Sequence, residues 1–153
     1  MNIERYVENL GVPDIKLDGL QIWIHNREFP TSEDYWDSNW LNTTVHCGAN
    51  NASVWVNGSI LLNIEISDWL DSLVKMNEQL SGEANLETLE QQLSVRLKAE
   101  QLGGVSMEVE ITPDQLTQRH YFEFEIDQSY LNSLIESCRK VLQKFPIKGN
   151  SEK

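Results

Sequence analysis

Apolar and polar residues alternate along most of the chain with a period of two, the spacing that places successive side chains on opposite faces of a strand. Leu20, Ile22 and Ile24 share one side, with Gln21, Trp23 and His25 on the other. This predicts a strand, running from about Ile15, with one buried face. Leu41–Cys47, rich in β-branched Thr43, Thr44 and Val45, predicts a second, and Gly48–Asn51 a turn. Ser53–Asn57 predicts a third strand, with Val54 and Val56 opposite Trp55. Asn57-Gly58 is the strongest hairpin signal in the chain, so Ile60–Ile66 is read as the return strand. Further on, Leu93, Val95 and Leu97 alternate with Ser94, Arg96 and Lys98. Val105, Met107, Val109 and Ile111 alternate with Ser106, Glu108 and Glu110. His120, Phe122, Phe124 and Ile126 alternate with Tyr121, Glu123 and Glu125. These three runs predict an antiparallel meander with one apolar and one polar face.

Two segments change to a helical period. Ser67, followed by Asp68, reads as an N-cap; Trp69, Leu70, Leu73, Val74 and Leu80 follow, and Ser81-Gly82 ends the run. Asp127 reads as the cap of a second helix whose stripe is Tyr130, Leu131, Leu134, Ile135, Cys138, Val141, Leu142 and Phe145, with Pro146 as its stop. Arg139, Lys140 and Lys144 suit its C-terminal dipole. Ile3–Leu10 is a candidate short helix stopped by Gly11 and Pro13. Phe29–Asn39 and Pro113–Gln118 read as loops, and Glu83–Gln92 is acidic and carries no clear period.

The expected fold is therefore α+β, with about six strands in antiparallel meanders and two amphipathic helices covering their apolar faces in the order β-α-β-α. A single domain is expected over residues 1–153, with an ordered core from about 15 to 146 and a fraying polar tail over 147–153. The two helices share a spacing pattern, which suggests two similar halves or generic amphipathicity. Leu70, Leu73, Val95, Leu97, Val109, Phe122, Phe124, Leu134 and Ile135 are the expected core.

With 40% apolar residues the 153-residue chain can build such a core. Charge narrows its partners. Acids outnumber bases by 24 to 12, a formal net charge of −12. That disfavours nucleic acid and anionic membranes, and attracts basic proteins or cations; it also simply aids solubility. Cys47 and Cys138 lie in apolar settings and read as buried thiols of a reducing compartment. Met1–Gly11 has neither a basic n-region nor an apolar h-region, so a cytoplasmic location is expected.

Two groups of residues are candidate partner-binding sites. Glu108, Glu110, Glu123 and Glu125 project to one face of the meander, and a loop centred near residues 115–116 puts Glu108 across from Glu123. The face is either solvated, with Arg96 and Lys98 interleaved, or a docking surface for a basic partner. Glu33, Asp34, Tyr35, Trp36 and Asp37 combine aromatic bulk with acids, as interface hot spots do; alternatively Tyr35 and Trp36 staple the loop to the core. No catalytic, metal or cofactor residues are expected: His25, His46 and His120 are scattered, and there is no CxxC, HExxH or G-x-S-x-G motif. Gly103-Gly104 lacks the helix a phosphate cradle requires.

The chain also resembles a known family. Asp37-Ser38-Asn39-Trp40-Leu41-Asn42 leads into a strand; Asp68-Trp69-Leu70 opens a helix; Leu86–Leu93 reads LETLEQQL; a meander and a helix close the chain. This arrangement, over roughly Ile15–Phe145, resembles the WapI-like immunity proteins of bacteria and related uncharacterised bacterial proteins. Trp40-Leu41 and Leu89, Glu90 and Leu93 match the family pattern and look structural. The resemblance implies a non-enzymatic inhibitor whose acidic surface meets a basic toxin, many such toxins being nucleases. An assembly module forming homo-oligomers through its Trp-rich surface, and an enzyme without a recognisable motif, are the competing readings.

Overall fold

The computed structural model describes residues 9–149, so the candidate helix over Ile3–Leu10 and the end of the tail fall mostly outside the described residues. The chain forms β1 (Ile15–Leu17), β2 (Leu20–Arg27), the one-turn helix α1 (Tyr35–Ser38), β3 (Trp40–Ala49), β4 (Ala52–Leu62) and helix α2 (Asn63–Gln79). It continues through β5 (Glu83–Glu87), β6 (Leu93–Ala99), a 3-10 turn (Gln101–Gly103), β7 (Gly104–Ile111), β8 (Tyr121–Asp127) and helix α3 (Tyr130–Lys144). Strands β1-β2-β3-β4 make one antiparallel sheet (sheet 1) and β5-β6-β7-β8 a second (sheet 2), each followed by a long helix.

The fold class is α+β, but its expected make-up is corrected: eight strands in two four-stranded sheets and three helices are described, not about six strands and two helices in β-α-β-α order. The strand expected from Ile15 is two strands, because Asp18, at a φ of 50°, reverses the chain before Gly19. Glu83–Gln92 supplies β5: Ala84 and Leu86 point inward, and pairing with β6 overrides poor strand formers.

The largest local correction concerns Asn57-Gly58. The β3–β4 hairpin turns instead at Asn50 and Asn51, both left-handed (φ 49° and 74°), inside the expected Gly48–Asn51 turn. Asn57 and Gly58 remain in β4 opposite Thr44 and Thr43, where the Asn57 amide donates to Thr44 Oγ1 at 2.7 Å. A bulge at Ile60, between the Leu41–Leu61 and Asn42–Ser59 pairs, bends the strand there. The return strand read over Ile60–Ile66 therefore ends at Leu62. Helix α2 begins at Asn63, four residues before Ser67, because Glu65 Oε1 accepts the Leu62 N–H at 2.8 Å and caps the helix from inside.

One hydrophobic cluster joins both sheets with α2 and α3. Trp69 is fully buried in it and its indole N–H reaches Ala84 O at 3.3 Å, tying α2 along β5. Of the expected core, Leu73, Val95, Leu97, Val109, Leu134 and Ile135 are buried; Leu70, Phe122 and Phe124 pack against it partly buried. Cys47 and Cys138 are both buried free thiols.

Candidate functional site

Sheet 2 displays charge because its period-two pattern is strict. Every inward residue of β6 and β7 from Leu93 to Ile111 is apolar and, apart from half-buried Ala99, buried, which forces the polar set outward. The outward face carries Glu83 and Glu87 on β5, Glu108 and Glu110 on β7, and Glu123, Glu125 and Asp127 on β8, all exposed, against the cations Arg96 and Lys98 on β6. Glu108, Glu110, Glu123 and Glu125 are thus brought together on adjacent strands. Glu108 stands directly opposite Glu123, Glu110 opposite Tyr121, and Glu125 opposite Ser106.

The cations do not neutralise this row. Arg96 stands opposite Glu108 but its ion pair, at 3.9 Å, is with Glu87 on the far side. Lys98 lies opposite Ser106 and Glu83. Glu123 instead accepts the Tyr121 hydroxyl at 2.8 Å, and this bond holds the Tyr121 phenol above its ordinary pKa, with burial and Glu108 adding to the effect. Among the described residues no group of three or more His, Cys, Asp or Glu converges as a metal set; the carboxylates form a spread surface.

The second group sits elsewhere, on the connection between β2 and β3 of sheet 1. Phe29–Asn39, a loop by its composition, contains α1, because Asp34 Oδ1 accepts the N–H groups of Trp36 (3.0 Å) and Asp37 (2.9 Å) and closes a helical turn. Tyr35 and Trp36 meet edge to face at 5.1 Å, and Trp36 remains 49% exposed. Glu33 and Asp37 are exposed beside them, whereas the Asp34 carboxylate is occupied as the cap. The turn is anchored from behind by Asn39, which is fully buried and exchanges two hydrogen bonds with the main chain of Lys148. Arg27 adds bonds to the carbonyls of Ser38 and Pro146.

Sequence reasoning missed a third feature, on the outward face of sheet 1. Trp23, assigned to a polar side, is 5% exposed: it stacks on Trp55 (5.8 Å) and donates to Gly11 O at 3.1 Å. His46 packs on Trp55 at 4.3 Å and bonds Gln21 and Ser53, and burial lowers its pKa. The signal was present in the alignment of Trp23, His46 and Trp55 at matching alternation positions of three consecutive strands. Burial pushes the thiol of Cys47, with help from Asp18, and that of Cys138 up to about 12.

Fold and surface together define an acidic α+β protein on two antiparallel sheets, with seven of its acids spread over the outward face of sheet 2. Its sequence matches the model of the immunity protein WapI-like family over residues 13–146, and the chain belongs to that family. No curated protein and no solved structure matches it. Family membership implies a protein partner. No helix among the described residues is long and apolar enough to cross a membrane.

Proposed function

We propose that the protein is an immunity protein that acts in the cytoplasm, binding a toxin domain through the carboxylate face of sheet 2 and so blocking a basic surface on it. The observation that supports this most directly is the pairing of Glu108 with Glu123 in a face where seven acids meet two bases. Like charges opposed across strands cost stability, and a partner's cations relieve that cost on binding. The net charge of −12 also steers a basic partner toward the protein. The α1 turn, with Trp36 half-exposed among Glu33 and Asp37, is the second candidate contact.

The test is affinity capture from the native lysate at low and then moderate salt, read by mass spectrometry. It compares the wild type with a variant carrying Gln at Glu108, Glu110, Glu123 and Glu125. One basic protein retained near stoichiometrically by the wild type, and lost with salt and in the variant, is the expected result. Equal retention by the variant removes the carboxylate face from the mechanism. Replacing Trp36 by Ala should weaken the same complex without lowering the unfolding midpoint.

A further inference from the structure

Sheet 2 ends in a strand whose edge is open. The Ile111 N–H bonds His120 O at 3.1 Å and the Gln128 N–H bonds Gly103 O at 3.0 Å. In an antiparallel ladder bonded and non-bonded pairs alternate. The register then makes Val109–Phe122, Met107–Phe124 and Val105–Ile126 the bonded pairs. The main-chain N–H and C=O groups of Tyr121, Glu123 and Glu125 consequently point away from β7. Among the described residues none of them has a backbone hydrogen bond beyond the sheet.

The other edges are guarded. α2 lies along β5, where Trp69 caps the Ala84 carbonyl. β4 is interrupted by its bulge at Ile60, and β1 is three residues long. On the inner side of β8, Phe122 and Phe124 are stacked at 6.3 Å and only half-buried, although their neighbours Val109 and Met107 are fully covered.

We infer that the toxin partner adds an extended segment of alternating apolar and basic residues as a fifth strand along β8. Its apolar side chains would complete the cover of Phe122 and Phe124. Its cations would stand beside Glu123 and Glu125, while the free main-chain groups supply the ladder. Charge selects this occupant over a second copy of the chain: β8 paired with β8 would bring the glutamates of one copy against those of the other. This inference rests on the carboxylate-face reading and adds a binding mode to it.

The test titrates the full chain with a synthetic peptide of alternating valine and lysine, followed by amide resonances and hydrogen exchange. Shifts and protection confined to β8, above all at Tyr121, Glu123 and Glu125, are expected. Backbone N-methylation of the peptide should abolish binding. Glu125→Pro should bind the peptide about fivefold more weakly than Glu125→Gln, which lacks the same charge but keeps the outward N–H that the fold does not use, as the loss of one edge hydrogen bond. Absence of β8 shifts, or equal binding of the N-methylated peptide, overturns strand addition. Binding that survives N-methylation but is lost when the four glutamates are Gln sinks strand addition and leaves the acidic-face reading standing. Binding that is lost on N-methylation but indifferent to the glutamates does the reverse.

Discussion

Glu108 and Glu123 face each other across β7 and β8 as a non-hydrogen-bonded pair, the position in an antiparallel ladder where side chains come closest. Replacing Glu108 with Gln should stabilise the fold by up to about 0.5 kcal/mol, a small gain because both groups are exposed. Urea unfolding of the variant at low salt should show it, and added salt should shrink it. A loss of stability would mean that the pair is not repulsive. If the same variant also weakens partner binding, the acidic row is retained for association at a cost in stability.

Gly19 and Gly48 join the rim of sheet 1 to Phe124 of sheet 2. The Gly48 N–H bonds Gly19 O at 3.1 Å, and a Cβ at Gly19 would press on Gly48 O and lie 2.8 Å from Phe124 Cζ. Gly19→Ala should therefore cost about 1–3 kcal/mol. Combining it with Phe124→Leu should recover little, because the harder clash is with backbone. Thermal unfolding of the single and double variants checks both statements.

The Asn39 side chain binds Tyr35 O and Lys148 O, and accepts from Lys148 N and Asn63 Nδ2. With its site fully buried, Asn39→Ala leaves several groups without partners and should cost roughly 2–4 kcal/mol. Lys148→Ala keeps the main-chain bonds and should change stability by less than about 0.5 kcal/mol. Denaturant titration separates them; equal effects would show that the tail is held by its side chain.

Glu65 accepts from Leu62 N and Leu89 N at 2.8 Å each, yet burial dominates and raises its pKa. The folded state thus holds this proton more tightly than the unfolded chain. Glu65's contribution to stability is full below the ordinary glutamate value and falls as pH rises through the raised one. Relative to Glu65→Gln, the wild type should lose stability across that window. A wild-type advantage that grows with pH would reverse the assignment.

Sheet 2 was largely legible because each of its three central and C-terminal strands keeps a strict alternation, and a β7–β8 loop centred near residues 115–116 sets Glu108 against Glu123. Sheet 1 was less so. The Asn57-Gly58 signal is local, and ten paired positions along β3 outweigh it, absorbing the glycine in a bulged strand. Trp23 could not be placed by alternation alone, since its cover comes from Gly11 and from Trp55 two strands away.

By itself the sequence determined the secondary-structure class, the two amphipathic helices, the acidic character and the outward carboxylate row, because each follows from short-range periodicity or summed charge. Tertiary structure alone decided that the strands divide into two sheets, that Glu83–Glu87 joins one of them, that Asn39 fastens the tail, and that the β8 edge stays open. Those depend on which main-chain groups find partners at long range, and local pattern carries no record of that pairing.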